Sequence, residues 1–522
     1  MANSNLFRSY PGTLVPSVDA TNEAGGTAYA FSGEHMLAQY AATGCLNGTF
    51  YSDAGQQLEV VLQLANGCSP EFVARTALYA REQGYMKDMP ALLCAVLSVR
   101  SPGLLAEIFD RVINSPKMLR NFVQIMRSGA VGRKSLGTLP KRLILQWLER
   151  QTDEQLFFGS VGNQPSLADI IRMVHPKPAT ASREALYAYL LGRSYAAESL
   201  PAIVRDYETF KNSSESAGTA LPDVPFQMLT SLPLTTSHWK QIARNSSWTT
   251  TRMNLNTFQR HGVFDDEELT QELANRLRRS ELVERSRVFP YQLLTASQNL
   301  GTSIPQVIRK ALEEAMEIAI RNVPRISGRI YVLPDISSSM QSPVTGVRKG
   351  ATTATRCIDV AALVAAAFLR RNPETMVVPF SDRVTPCELN PKDSVMTNAA
   401  KLLALPSGGT NCSLPLRHLN QRNAKGDLIV YVSDNESWLD SGRVTSSGTA
   451  TMAEWAIFRK RNPAAKMVCI DIQPYGTTQA KESSDIVNIG GFSDHVFQLI
   501  ADVAAGRFNE NHWVNEISAI RL

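Results

Sequence analysis

Apolar positions recur with two different periods along this chain, and the change falls near residue 326. Before it they recur every three to four residues, in runs of about 12 to 18, as one face of a helix requires. Gln56 to Asn66 puts Leu58, Val61, Leu62 and Ala65 on one side. A run from Pro70 carries Phe72, Ala74, Leu78 and Tyr79 and stops at Gly84, and runs follow at Met89 to Val99, Leu104 to Ile113 and Met118 to Met126. Proline at the first turn and glycine past the last are helix start and stop signals. Helices are predicted again from Pro290 to about Gln298 and from Pro305 to Ile320. No alternating strand stands out between 33 and 320. Short helices joined by short turns predict stacked helical hairpins of the α-solenoid kind.

After 326 short apolar runs rich in β-formers alternate with helical ones. Strands are predicted from Ile330, at 375–381, 427–433, 466–472 and 486–489. Helices are predicted at 354–371, 394–405, 452–461 and 494–505. That order predicts a doubly wound α/β sheet. The chain therefore divides into an arm (1–32), a helical-repeat module (33–325), an α/β domain (326–505) and a tail (506–522) that packs back on the helices. Its length exceeds what one hydrophobic core sustains.

Candidate chemistry sits at two strand ends. The first strand runs into Asp335-Ile336-Ser337-Ser338-Ser339, one carboxylate and two hydroxyls on a short loop. Gly408-Gly409-Thr410 follows a helical run, and the 427–433 strand ends in Asp434-Asn435-Glu436. Ligands of open α/β sheets bind beyond the carboxyl ends of strands. Hard oxygen donors suit Mg²⁺. The motif resembles the metal-ion-dependent adhesion site of von Willebrand factor A domains. The predicted ligands are Asp335, Ser337, Ser339, Thr410 and Asp434, with the two aspartates acting directly or through water.

Composition narrows the class. Charged residues are 19% and apolar residues 44% of 522, so the chain is globular. The net charge of +5 excludes a histone-like protein. Seven scattered cysteines without CxxC pairs read as reduced thiols, and the N-terminus shows no secretory pattern, so a cytoplasmic protein outside any membrane is expected. Charge is unevenly spread, however. Between 117 and 184 eleven Lys/Arg face five Asp/Glu, a net of +6 that exceeds the whole chain's. A concentration of positive charge is the footprint of a polyanion site. Arg133, Lys134, Lys141 and Arg142 lie here, and His175 and Lys177 follow in a proline-locked turn. Residues 236–262 hold Lys240, Arg244, Arg252, Arg260 and His261 among amides and aromatics with no acid. Rings, amides and arginine are what single-stranded RNA recognition uses.

Both halves together resemble the Ro family, a TROVE module of HEAT-like helical repeats followed by a von Willebrand factor A domain. The motifs are Asp335 to Met340, Pro379 to Asp382, Gly408 to Pro415, Ser433 to Glu436, Ala24-Gly25-Gly26, Gly132 to Lys134, His175 to Pro178 and Pro233 to Thr235. The resemblance to bacterial members implies a helical ring joined by the A domain, and a monomeric protein within a ribonucleoprotein. It implies Y-like non-coding RNA on the outer basic surface, with His175 in the contacting turn. Single-stranded 3′ ends of misfolded or structured RNA would enter a central hole, for quality control or processing with the exoribonuclease polynucleotide phosphorylase. An alternative is a protein-interaction adaptor working through the metal site. A hydrolase is disfavoured, because no Walker A loop, Gly-x-Ser-x-Gly elbow or His-rich metal cluster occurs. The protein is expected not to be an enzyme.

Overall fold

The computed structural model describes residues 15–213, 221–286, 288, 290–347, 355–439, 448–509 and 511–522. Residues 1–14 of the expected arm, Phe289 and Ala354, the expected first residue of a helix, lie outside them.

Local signals set the helices of the first half. Asp53 caps Ala54–Gly67 in a reciprocal capping box with Gln56. Ser69 and Ser115 cap helices that begin with proline, Pro70–Glu82 and Pro116–Ser128. Asp88–Arg100 is buried on nearly every side because Pro70–Glu82, Pro102–Val112 and Pro116–Ser128 all pack on it. Successive helices continue the stack through Thr138–Arg150 and Leu167–Val174 to Glu267–Leu277 and Gln306–Ala319.

The second half is a five-stranded parallel sheet in the order β4-β3-β5-β6-β8. Its strands are β3 (Ile330–Pro334), β4 (Met376–Val377), β5 (Leu428–Ser433), β6 (Lys466–Asp471) and β8 (Ile486–Gly490). β3 and β5 are buried along their whole length, as a parallel sheet covered on both faces demands. The expected strand at 375–381 is cut to β4. Beyond it Val378 N–H donates to Val332 O at 2.9 Å, and Phe380 N–H to Pro334 O at 3.1 Å, while Pro379 has no N–H to give. Helix Leu414–Gln421, which the sequence reading lacked, follows Thr410.

The two halves close on each other. Helix Gly33–Thr43 at the start of the array packs on β8, and Gln306–Ala319 at its end packs on Val395–Leu403. Three further contacts join them. The arm forms β1 (Ala20–Thr21) and β2 (Thr27–Ala30), and β2 pairs antiparallel with β7 (Thr477–Thr478) of the A domain, an augmentation absent from the sequence reading. The tail helix His512–Ser518 packs on Pro70–Glu82, as expected, with Trp513 fully buried and its Nε1–H donating to Tyr79 Oη at 2.9 Å. Arg75 and Arg111 donate to the carbonyls of Ile520 and Arg521 at 3.1 and 2.6 Å.

Candidate metal centre and basic surface

The chain leaves β3 toward β4 on one side and reaches β5 on the other, so the β3/β5 crevice is a topological switch point. Asp335 follows β3 and Asp434 follows β5, which brings both carboxylates to that crevice. Asp335, Ser337, Ser339, Thr410 and Asp434 are all buried. Asp335 Oδ1 accepts from Ser337 N–H at 2.8 Å and its Oδ2 from Ser433 Oγ at 2.7 Å. The Ser337 and Ser339 hydroxyls lie 3.2 Å apart. All five predicted ligand residues thus belong to loops at one end of the sheet.

The electrostatics are strained in one direction. Burial, then repulsion from Asp434, pushes the Asp335 carboxyl up, and burial pushes Asp434 up. Burial also raises Glu436 and Asp471 behind them. Among the described residues no Lys, Arg or His pairs with any of the four. Glu436 Oε1 and Asp471 Oδ2 are buried without a partner. Buried anions of one sign need a cation or a proton. Among the described residues no three His, Cys, Asp or Glu side chains are arranged to hold a metal; this donor set pairs two carboxylates with three hydroxyls. Such hard oxygens fit a small divalent cation.

The basic surface lies in the helical half. Arg127, in the last turn of Pro116–Ser128, has Nη1 3.8 Å from Met173 Sδ, near the end of Leu167–Val174. Pro116–Ser128 and Thr138–Arg150 both pack on Leu167–Val174, the helix that His175 caps. His175 takes the left-handed conformation as the cap of its helix and is exposed. Lys134, Lys141, Arg142 and Lys177 are exposed too, and no side chain of these five makes an ion pair or hydrogen bond with the described residues. Arg150, Arg172 and Arg183 are instead held by Asp110, Asp169 and Asp153. Arg133 turns inward, donating to Ser98 O at 3.2 Å and Ser98 Oγ at 3.0 Å.

Comparison with known proteins follows this division. The Ro60 vWA domain model matches residues 329–504, and the TROVE domain model matches 184–332. The chain thus carries matches to both domains of Ro proteins. It is 25% identical to the RNA-binding protein RO60 of Deinococcus radiodurans over 518 residues, covering 92% of this chain and 94% of that protein. It is 27% identical to the Caenorhabditis elegans protein of the same name over 257 residues, 46% of this chain and 38% of that one. The crystal structure of the D. radiodurans Ro protein superposes with a TM-score of 0.62 at 20% identity, covering 91% of this chain and all of that one. The expected two-part fold is thereby established.

In this Ro-like chain the 236–262 stretch differs from its sequence reading. Lys240 pairs with Asp266 at 3.2 Å and Arg244 with Glu272 at 3.6 Å, both acids coming from the next helical segment. Arg252 is turned inward, donating to Gln292 O at 2.9 Å and lying over the Trp248 ring; burial lowers its pKa. It is a packing residue, not an open RNA contact. His261 stacks on Trp239 with ring centroids 4.0 Å apart, and Arg260 reaches Thr257 Oγ1 at 3.3 Å. The sequence reading also missed what surrounds the candidate metal centre. Phe50, Tyr51, Trp438 and Ala24 line its mouth. Asn22 Nδ2 donates to Ser437 O at 2.8 Å and Ala24 N–H to Glu436 Oε2 at 3.0 Å. Of these, only Ala24 belongs to a motif singled out in the sequence, Ala24-Gly25-Gly26.

Proposed function

We propose that this chain is a non-catalytic RNA-binding protein of a ribonucleoprotein, gripping RNA phosphates at the joined ends of helices Pro116–Ser128, Thr138–Arg150 and Leu167–Val174. The observation that carries this reading is charge without a counter-charge: Lys134, Lys141, Arg142 and Lys177 are exposed with no ion pair among the described residues, with His175 exposed in the turn of Lys177, while neighbouring arginines are paired. Phosphate neutralisation supplies affinity, and unpaired bases stacking on rings add selectivity. The names of the D. radiodurans and C. elegans relatives support RNA as the ligand class. The finer reading is a Y-like RNA on this surface, and single-stranded 3′ ends of misfolded or structured RNA handed to an exoribonuclease such as polynucleotide phosphorylase. Asp335, Ser337, Ser339, Thr410 and Asp434 would hold Mg²⁺, which would supply positive charge for a hard anion.

The test is binding of the purified chain to a structured RNA with and without a single-stranded 3′ tail, across a salt series, with EDTA controls. Tight, tail-dependent, salt-sensitive binding that ignores EDTA is expected. Binding no better than to nonspecific duplex DNA would refute it.

A further inference from the structure

The candidate metal centre lies beyond the carboxyl ends of β3 and β5. The amino ends of the same sheet carry the opposite charge. Arg329 precedes β3, Lys425 precedes β5 and Lys466 opens β6, three strands that lie side by side. Arg422 follows helix Leu414–Gln421, and Lys460 and Arg461 end helix Ala450–Arg461. Hydrogen bonds gather these cations at one edge. The Arg329 side chain lies beside the Tyr331 hydroxyl, which donates to Lys425 O at 3.0 Å. Lys425 Nζ donates to Arg461 O at 3.3 Å, and Lys466 N–H to Asp427 O at 2.9 Å.

This charge is not spent inside the fold. Arg329, Arg422, Lys425 and Lys460 are exposed, and Arg461 and Lys466 are half-buried. None of the six makes an ion pair among the described residues, whereas Arg417 and Arg459 beside them are held by Glu454 and Asp485 at 2.8 and 3.1 Å. Asp427 offsets one charge, its carboxylate accepting from the Arg329 N–H at 2.7 Å. The two helix ends at this edge each present about half a negative charge, which offsets roughly one more. Most of the six remain uncompensated. The edge runs into a groove of about 500 Å³, within the range of small-ligand sites. Val15, Met452, Trp455, Ala456 and Ile486 give it apolar walls, and Lys460 stands at its rim. Ser484 also lines it, and the Ser484 carbonyl accepts from Lys466 Nζ at 3.2 Å, so groove and basic edge are continuous.

We infer that this edge is a second RNA site, which holds a single-stranded segment with one base in the groove and its phosphates along Arg329, Lys425, Lys460 and Lys466. Neighbouring strands are about 5 Å apart, so cations at successive strand starts form a row. A chain with one negative charge and one flat apolar ring on every unit matches a row of cations beside an apolar groove. The site belongs to the A domain and shares no residue with the basic helix ends or with the candidate metal centre. The inference rests on RNA as the ligand class, but not on the helix-end surface.

The test uses the full chain and a short labelled oligouridylate carrying 4-thiouridine, followed by anisotropy across a KCl series and by photocrosslinking. Lys425→Ala, Lys460→Ala and Lys466→Ala together should remove about 2 from the slope of log affinity against log salt. Ala456→Phe fills the groove without touching a charge, and should weaken binding about tenfold with the slope unchanged. Both variants should melt with the parent, and crosslinks should map to Met452–Pro463. Losses should add to those of the Lys134, Lys141 and Arg142 triple variant, since the two sets share no residue. If the edge variant keeps the parent's slope while the helix-end variant loses it, this inference falls and the helix-end reading stands. If the parent binds no RNA at all, both fall. If Ala456→Phe binds as the parent does and crosslinks avoid the groove, no base enters it and the inference is overturned. If a polyglutamate peptide competes as well as an oligouridylate of equal charge, the edge is a protein-docking surface and the inference is likewise overturned.

Discussion

Replacing Lys134, Lys141 and Arg142 together by alanine should change how RNA binding responds to salt, and by how much follows from their surroundings. All three are exposed and carry no counter-charge among the described residues, so each is available to displace a counterion from RNA. Each lost phosphate contact removes about 0.7 to 0.9 from the slope of log affinity against log salt, so the triple variant should lose about 2 to 3. Between 50 and 200 mM salt the advantage of the parent over the variant should then shrink about 16- to 60-fold. Lys240→Ala with Arg244→Ala is the matched contrast. Those cations are already neutralised by Asp266 and Glu272, so their removal should lower the slope by less than about 1. The assay is fluorescence anisotropy of a labelled hairpin RNA with a single-stranded 3′ tail, titrated at several KCl concentrations. Melting temperatures serve as controls, since exposed substitutions of this kind shift stability by no more than about 0.5 kcal/mol. An unchanged slope in the triple variant, or an equal loss in the contrast variant, would refute the assignment of the basic surface.

Other outcomes follow from the same geometry. In EDTA the melting temperature should fall as pH rises from the ordinary aspartate range through the raised values of Asp335 and Asp434, because the fold binds those protons more tightly than the unfolded chain does. Mg²⁺ should reverse that trend, its ligands needing to be deprotonated; a flat profile in EDTA would count against an uncompensated carboxylate pair. Trp513→Ala empties a fully buried indole site beside Tyr79 and should cost about 3 to 5 kcal/mol in chemical denaturation, with less than about 1 kcal/mol sinking the seam argument. At Gly26 a Cβ would come within 2.1 Å of Ser437 O, so Gly26→Ala should lift the arm and speed amide exchange in β2, and unchanged exchange would show that the arm is held elsewhere. Arg252→Ala should lower the melting temperature while leaving the salt slope intact, the reverse of the pattern at Lys141.

Much of this architecture is legible in one dimension because its signals are local. Ser69-Pro70 and Ser115-Pro116 announce helices through backbone groups within four residues, and the structure starts helices there. The Asp335 and Asp434 loops are legible for a related reason: a parallel strand must be apolar throughout, so the first polar residues past it mark the sheet's carboxyl edge. The short β4 is the counter-example. Pro379 breaks a run whose composition alone reads as a longer strand.

By itself, then, the sequence determined the two-part division, the starts of helices such as Pro70–Glu82 and Pro290–Gln298, and the strand-end residues of the candidate metal centre. Each depends on neighbours along the chain. Only the tertiary structure decided which charges are free. Residues 236–262 contain no acid, yet Asp266 and Glu272 fold back to neutralise Lys240 and Arg244, and Arg252 is turned inward over Trp248. Only the fold, likewise, brought Ala24 and Phe50 around one cleft with Trp438, hundreds of residues further along the chain. Coulomb and packing energies depend on distance in space, and a linear sequence does not carry that distance.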